Sequence, residues 1–262
     1  MPDLAITPIP AFNDNYIWCL HDTRIAIVVD PGDAAPVQAF LASQGLSLAG
    51  ILVTHHHWDH VNGINALVLE WPGVAVWGPA AESIPARTNP LQGGDSLTLP
   101  LGIRLEVIDV PGHTLGHIAY YAARYDTLGP VLLCGDTLFS SGCGRLFEGT
   151  PEQMHHSLGQ LAALPSETRV CCTHEYTESN LRFAAAVEPD NAAIAARCTE
   201  VQALRAAGKP SLPSTIGLEL QVNPFLRVHE PAVIAAVSRN CGTHPSGDLD
   251  TFAKLRQWKD RF

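Results

Sequence analysis

The chain has 262 residues, of which 46% are apolar and 16% are charged, and this balance excludes an intrinsically disordered protein. The formal net charge of −10 argues against a general nucleic-acid-binding surface, because phosphate contacts need clustered Lys and Arg. We expect neither a secretory signal nor a membrane span, since no segment has the basic-then-apolar pattern or the roughly 20 apolar residues that these require.

Short runs rich in Val, Ile, Leu and aromatic residues predict β-strands in the first two thirds of the chain. They are YIWCL, RIAIVVD, AGILVT, IRLEVIDV, IAYYAA, PVLLCGD and RVCCT. A helix is predicted over 151–164, where Thr150 suits the N-cap and Pro151 the first helical position. Up to about residue 174 the pattern is therefore mixed α/β.

Beyond residue 174 the composition favours helices. NLRFAAAVEP, NAAIAARCTEVQALRAAG, EPAVIAAVSRN and LDTFAKLRQWKDRF are mostly Ala-rich and are punctuated by Pro or Gly. We therefore expect a first domain over residues 1–174 and a smaller, mostly helical domain over residues 175–262.

Seven cysteines occur, at positions 19, 134, 143, 171, 172, 198 and 241. An odd number without C-x-x-C spacing suggests neither a disulfide framework nor a zinc ribbon. We expect a protein of the reducing cytoplasm, in which Cys134, Cys171 and Cys172 are core residues because they lie in apolar strand runs.

The stretch THHHWDH follows a predicted strand and contains the pattern H-x-H-x-D-H, formed by His55, His57, Asp59 and His60. Single histidines on a surface loop are usually only solvated polar residues. Four imidazole and carboxylate donors in this order instead indicate a site for a borderline metal cation.

Three further donors, His113, Asp136 and His174, also lie just past the ends of predicted strands. Loops held by a rigid scaffold are where such sites are usually built, so we expect all seven donors at one edge of the sheet structure. One ion would be held by His55, His57, His113 and Asp136. A second would be held by Asp59, His60 and His174, with Asp136 able to bridge the two ions.

The pattern resembles the metallo-β-lactamase superfamily and, more closely, its hydroxyacylglutathione hydrolase (glyoxalase II) family. The resemblance is carried by FNDNYIW, VVDPGD, THHHWDH, PGHTLGHI, GDTLFSSGCGRLFEGT, THEYTESNLRFA, NPFLR and LRQWKDRF. It implies an αββα sandwich followed by a glutathione-recognising helical domain. It also implies two divalent metal ions, with Zn²⁺ favoured over Fe or Mn.

The activity that the resemblance implies is hydrolysis of S-D-lactoylglutathione, and of other S-2-hydroxyacylglutathiones, to glutathione and a 2-hydroxy acid such as D-lactate. This reaction is the second step of methylglyoxal detoxification. A metal-bound hydroxide would be the nucleophile, with Asp59 and Asp136 as the catalytic carboxylates. A thiolate leaves readily, because a thiol pKa is about 8.5, so no dedicated general acid is expected.

By the same resemblance, Arg256 and Lys259 bind a glutathione carboxylate, and Arg145 and Tyr176 lie nearer the thioester. On charge pattern alone, Arg256 and Lys259 would form an ordinary solvated helix face. Eukaryotic members have Lys and Tyr where this chain has Arg145 and Phe147, and Phe147 offers no hydroxyl for a hydrogen bond.

Other conspicuous residues have more ordinary interpretations. We expect His56 and His117 to have structural or supporting roles, His155 and His156 to lie at a helix surface, and Asp30 to orient a ligand histidine.

Rival functions come from other classes. A flavodiiron-type protein would carry Glu in place of His57, and a nuclease would want a basic surface. A lactonase or a persulfide dioxygenase shares H-x-H-x-D-H but is not expected to end in LRQWKD. A catalytically silent binding module would usually lack some donors.

We expect a monomeric enzyme with a small-molecule substrate and no membrane partner.

Overall fold

The computed structural model describes residues 4–262, and they form two compact units. The first unit contains the described residues up to Asp109 together with Gly116–Gly135, and the second contains Val110–Leu115 and Asp136–Phe262. The predicted domain boundary after residue 174 differs from this division, because residues 110–115 and 136–174 lie in the second unit.

The first unit is an α/β structure with two sheets. Its elements in chain order are β1 (Ala5–Ala11), β2 (Asn15–His21), β3 (Ile25–Val29), α1 (Ala34–Gln44), β4 (Ser47–Leu52), α2 (Trp58–Val61), α3 (Ile64–Glu70), β5 (Ala75–Pro79), β6 (Asn89–Leu91), β7 (Ser96–Thr98), β8 (Arg104–Asp109), β9 (Ile118–Ala122), a 3-10 helix (Asp126–Leu128) and β10 (Val131–Gly135). One sheet has the order β1-β2-β3-β4-β5-β6. The second contains the antiparallel run β10-β9-β8-β7.

Strands β3 to β6 pair in parallel, and helices α1, α2 and α3 make the crossovers between β3, β4 and β5. Val37 and Leu41 on α1 and Ile64 on α3 are buried in the same hydrophobic cluster as Ile51 of β4. The Tyr120 hydroxyl of β9 donates to the Val53 carbonyl oxygen at 2.8 Å, so a buried hydrogen bond ties the second sheet to the loop after β4.

The second unit is mainly helical. Its elements are β11 (Leu138–Phe139), β12 (Gly142–Cys143), α4 (Pro151–Ala162), β13 (Arg169–Cys172), α5 (Thr177–Val187), α6 (Ala192–Ala206), β14 (Ser214–Thr215), α7 (Ile216–Val222), a 3-10 helix (Pro224–Leu226), α8 (Pro231–Cys241) and α9 (Asp248–Lys259). Leu181, Ile194 and Val222 bring α5, α6 and α7 together. Phe183, Phe225 and Phe252 form a buried aromatic group between α5, the 3-10 helix and α9.

All seven predicted strands and the helix after Thr150 are confirmed. The four predicted C-terminal helices are α5, α6, α8 and α9. Sequence reasoning missed β1, which contains Pro8 and Pro10, because proline normally argues against a strand. The strand survives because it lies at the edge of its sheet, where a missing backbone donor breaks no ladder on the open side.

Burial agrees with the prediction for the cysteines: Cys134, Cys171 and Cys172 are buried core residues. No helix within residues 4–262 combines the length and the apolar character that a membrane span requires.

The N-terminus of α4 supports a first prediction. The Thr150 side chain accepts from the Gln153 backbone N–H, and the Gln153 side chain accepts from the Thr150 backbone N–H. Because Thr150→Ala removes this capping box, it should lower the free energy of unfolding by about 0.5–2 kcal/mol in denaturant titrations. Thr199→Ala, at an exposed position within α6, is the control and should be neutral or slightly stabilising. Equal losses in both variants would contradict the capping role.

Candidate metal centre

Asp30 organises the donor histidines of the first unit. Its backbone has φ 53°, in the left-handed region that non-glycine residues rarely adopt. Its carboxylate accepts from the backbone N–H of Thr54 at 2.7 Å and from the Thr54 hydroxyl at 2.8 Å. The His60 Nδ1 atom lies 3.1 Å from Asp30 Oδ2. The expectation that Asp30 orients a ligand histidine therefore agrees with the geometry.

These contacts set the histidine tautomers. Thr54 uses its proton on Asp30, so its oxygen is left to accept from His55 Nδ1, 3.1 Å away. The Asp30 carboxylate, 3.1 Å from His60 Nδ1, likewise favours a proton on that nitrogen. Both rings then present an unprotonated Nε2, which is the form that binds a metal ion.

The remaining donors of H-x-H-x-D-H lie beside these two nitrogens. His55 Nε2 is 3.0 Å from His57 Nδ1, and His60 Nε2 is 3.7 Å from Asp59 Oδ2. The Asn15 side chain donates to Asp59 Oδ2 at 3.1 Å. Gly32 in the VVDPGD stretch lets the chain pass close to Asp59, because a Cβ there would lie 1.8 Å from the Asp59 carbonyl oxygen.

The donors of the second unit converge on one carboxylate oxygen. His113 Nε2 lies 3.4 Å and His174 Nε2 lies 3.3 Å from Asp136 Oδ2. His113 Nδ1 is 2.8 Å from the Arg145 carbonyl oxygen. A carbonyl oxygen can only accept, so Nδ1 carries the proton and Nε2 offers its lone pair toward Asp136.

Both groups of donors fit a divalent ion. Two ligand atoms about 2.1 Å from one ion, at a near-tetrahedral angle, lie about 3.4 Å apart, close to the separations above. The imidazoles His55, His60, His113 and His174 are all buried. Neutral nitrogens and carboxylate oxygens suit zinc, iron and manganese alike.

Family models match nearly all of the chain. The model described as "Metallo-beta-lactamase superfamily" matches residues 13–174, and "Hydroxyacylglutathione hydrolase C-terminus" matches residues 175–262. A curated relative named hydroxyacylglutathione hydrolase, from Cupriavidus taiwanensis, is 58% identical over 99% of this chain and 99% of its own. The chain belongs to the hydroxyacylglutathione hydrolase family. The resemblance inferred from the motifs is thus confirmed.

Solved structures confirm the metallo-β-lactamase fold that the sequence predicts for this family member. A protein titled ETHE1 from Myxococcus xanthus superposes with a TM-score of 0.64 at 22% identity, covering 99% of each chain. A protein titled TTHA1623, in a di-iron-bound form, gives a TM-score of 0.59 at 25% identity over 84% of this chain and 100% of its own. The superfamily and the histidine and aspartate donors support divalent metal ions as the cofactor class.

The predicted substrate-binding residues lie in the second unit, in different surroundings. The Tyr176 ring stacks on His174, with centroids 4.6 Å apart. Arg145 is exposed, and its Nε lies 3.5 Å from Asp260 Oδ1. The Arg256 side chain is only 7% exposed. It donates to the Cys143 carbonyl oxygen at 3.0 Å and to Asp260 at 2.9 Å. Because these acceptors occupy the guanidinium, Arg256 has fewer N–H groups left for a substrate carboxylate than the sequence predicts.

Lys259 combines a polar contact with an apolar setting. Its Nζ atom donates to the Ser179 carbonyl oxygen at 3.4 Å and lies over the rings of Phe183 and Phe262. Burial, together with the nearby Arg256 and Arg182 cations, lowers the pKa of Lys259 to about 8. The ammonium is still mostly protonated at pH 7, but it loses its proton within the mildly alkaline range.

Other residues singled out in the sequence lie away from the donor atoms described above or support them. The His56 side chain pairs with Glu82 at 2.9 Å. His117 stacks on His55 with centroids 4.6 Å apart. His155 packs against Phe252, and His156 is exposed. The supporting role of Asn15 was not predicted, although Asn15 lies in the quoted FNDNYIW stretch.

The shifted pKa of Lys259 predicts a pH dependence of stability. A lysine in the unfolded chain titrates near 10.5, so between about pH 8 and 10.5 the unfolded state binds a proton that the folded state lacks. Lys259 should therefore make the free energy of unfolding rise with pH across this window. In urea titrations at pH 7.5 and 10, Lys259→Met should remove that rise. Identical pH slopes in wild type and variant would contradict the shift.

Proposed function

We propose that the chain hydrolyses S-2-hydroxyacylglutathione thioesters, S-D-lactoylglutathione among them, to glutathione and a 2-hydroxy acid such as D-lactate. The observation that carries the proposal is the full set of seven donors in a chain 58% identical to a hydroxyacylglutathione hydrolase along its whole length. On this proposal the enzyme carries out the second step of methylglyoxal detoxification.

The proposed metal ligands are divided between two ions. One ion takes His55, His57, His113 and Asp136, and the other takes Asp59, His60 and His174, with Asp136 shared. Zn²⁺ is our assignment, and iron and manganese are the alternatives that the same donors accept. When bound, the two ions would activate water at neutral pH and polarise the thioester carbonyl.

The residues of the chain prepare that chemistry. Asp30, Thr54 and the Arg145 carbonyl oxygen lie against Nδ1 of three imidazoles, which favours the tautomer with its proton on Nδ1 and orients the rings. Asn15 holds the Asp59 carboxylate by a hydrogen bond. Because these partners are in place before substrate arrives, little reorganisation is needed during the reaction.

We assign recognition of glutathione to Arg145, Tyr176, Arg256 and Lys259. Lys259 is the best candidate for direct contact with a carboxylate, because the one hydrogen bond described for its ammonium is the weak one to the Ser179 carbonyl oxygen. Arg256 contributes its fixed charge from beside Cys143, and Arg145 offers an exposed guanidinium. Phe147 is 61% exposed and supplies an apolar surface where eukaryotic members have Tyr.

Among the rivals, the persulfide dioxygenase shares the donor motif. Two findings argue against a persulfide dioxygenase. Residues 175–262 match the hydroxyacylglutathione hydrolase C-terminus, and full-length relatives of that name are 53–58% identical. We further propose a monomer in the cytoplasm. The free thiols of Cys19, Cys143, Cys171, Cys198 and Cys241 are compatible with a reducing compartment.

Asp136 provides the test of the metal assignment. Asp136→Ala should lower the metal content and remove nearly all thioesterase activity, because it deletes the carboxylate shared by both proposed ions. Elemental analysis and turnover of S-lactoylglutathione measure the two effects. His156→Ala, on the exposed face of α4, is the matched control and should retain both. Similar losses in the two variants would mean that the ligand assignment is wrong.

Lys259 provides the test of substrate recognition. A hydrogen bond to a charged group contributes about 1.5–3 kcal/mol, so Lys259→Ala should raise KM for S-lactoylglutathione about 10–150-fold. The value of kcat should change little if ground and transition states are bound equally. The wild-type KM should also rise above about pH 8, as the ammonium loses its proton.

Two controls accompany this measurement. Lys254→Ala, on the same helix and paired with Asp250, should leave KM unchanged. A thioester without the glutathione carboxylates should be hydrolysed equally well by wild type and Lys259→Ala. An unchanged KM for S-lactoylglutathione in Lys259→Ala would favour a different thioester or a lactone as substrate.

A further inference from the structure

A short hairpin follows the donor Asp136 along the chain. It consists of β11, the turn residues Ser140 and Ser141, and β12, and we call residues 138–143 the donor hairpin. The hairpin connects Asp136 to Arg145, whose carbonyl oxygen holds the donor His113 at 2.8 Å. Its conformation therefore bears on two of the three donors in the second unit.

The two ends of the donor hairpin are locked together. The Gly144 backbone N–H donates to the Thr137 carbonyl oxygen at 3.1 Å. A Cβ at Gly144 would lie 1.9 Å from the Asp136 carbonyl oxygen, so only glycine permits this approach. A shift of the hairpin is therefore transmitted directly to the backbone of Asp136.

The tip of the hairpin is strained. Ser141 has φ 58°, in the left-handed region, which is unfavourable for a residue with a Cβ. Such a conformation persists only where the surrounding structure determines it.

Four buried polar side chains from the helical region bind the backbone of the donor hairpin. Asn180 donates to the Ser140 carbonyl oxygen at 3.1 Å, and Glu219 accepts from the Ser141 N–H at 2.7 Å. Asn223 donates to the carbonyl oxygens of Phe139 and Gly142 at 3.2 and 2.9 Å. Arg256 donates to the carbonyl oxygen of Cys143 at 3.0 Å.

Glu219 is the centre of this group. Besides the Ser141 N–H, its carboxylate accepts from the Asn223 side chain at 3.1 Å and from the Ser214 hydroxyl. Burial raises the pKa of Glu219, and its hydrogen bonds oppose that shift. A fully buried carboxylate is costly unless hydrogen bonds compensate for the loss of water. Glu219 directs these hydrogen bonds at the donor hairpin and at Asn223, which binds the same hairpin.

We propose that Glu219 is a positioning residue of the metal site. By holding Ser141 in its left-handed conformation and orienting Asn223, it sets the place of Asp136 and of the carbonyl oxygen that turns His113. The inference rests on the metal ligands assigned under the proposed function. Through Glu219, helix α7 would then contribute to metal binding although it carries none of those ligands.

The experiment measures Zn²⁺ affinity of the full chain by competition with a chromophoric chelator, together with the visible spectrum of the Co²⁺-substituted protein. Glu219→Ala should weaken binding of at least one ion about 10–100-fold and alter the Co²⁺ spectrum, as expected when a partner of the ligands is lost. Glu219→Gln should restore affinity, because its amide oxygen can accept from Ser141 and Asn223 while its amide nitrogen donates to Ser214.

Glu188→Ala is the matched control, since Glu188 is a buried carboxylate of the same unit that pairs with Arg227. This variant should unfold at a lower temperature but keep wild-type Zn²⁺ affinity. Wild-type affinity in folded Glu219→Ala, an equal loss in Glu188→Ala, or no rescue by Gln would each overturn the inference.

Three further outcomes are distinguishable. If Glu219→Ala does not fold, Asn180→Ala decides the question: loss of one hydrogen bond to the hairpin should weaken Zn²⁺ binding about 3–10-fold, and unchanged affinity would overturn the inference. If wild type itself binds no Zn²⁺, Fe²⁺ or Mn²⁺, the proposed function fails and the inference fails with it. Two tightly bound ions in both wild type and Glu219→Ala would refute only the role of Glu219.

Discussion

The geometry of the histidine donors depends on which ring nitrogen carries the proton in three of the imidazoles. His55, His60 and His113 use Nδ1 to contact a threonine hydroxyl, a carboxylate and a backbone carbonyl oxygen, respectively. Each of these partners favours a proton on Nδ1, so Nε2 is left with its lone pair. A buried imidazole without such a partner could adopt either tautomer, and its proton could then occupy the nitrogen that faces the ion.

Two residues outside the predicted donor set have strained backbones beside it. Asp30 and Ser141 both lie in the left-handed region, and each is held by hydrogen bonds from residues distant in sequence. Strain of this kind is common where a site must be organised before its ligand arrives. In the first unit it aims the Asp30 carboxylate at His60, and in the second it shapes the hairpin beside Asp136.

Polar side chains of the helical region of the second unit fall into two groups with different contacts. Its Lys259 ammonium lies over aromatic rings with one polar partner, which suits a group that binds an anionic substrate. Its Asn180, Glu219, Asn223 and Arg256 side chains instead bind the donor hairpin. Arg256 and Lys259, three residues apart on α9, thus have different surroundings. A substitution at Arg256 is expected to disturb the hairpin, whereas one at Lys259 is expected to weaken the proposed binding of substrate.

Sequence alone determined seven of the strands, the principal helices and the family, because strand and helix periodicity and the H-x-H-x-D-H spacing are local patterns. It also predicts the seven metal donors. It did not reveal the hydrogen bonds that hold the donor hairpin, the hydrogen bond from Asn15 to Asp59, or the burial of the Arg256 guanidinium. The partners involved are far apart along the chain: Ser141 and Glu219 by 78 residues, and Cys143 and Arg256 by 113. Periodicity reports which face of an element is buried, but only tertiary packing decides which buried polar group meets which, since each such group must find a partner when it leaves water.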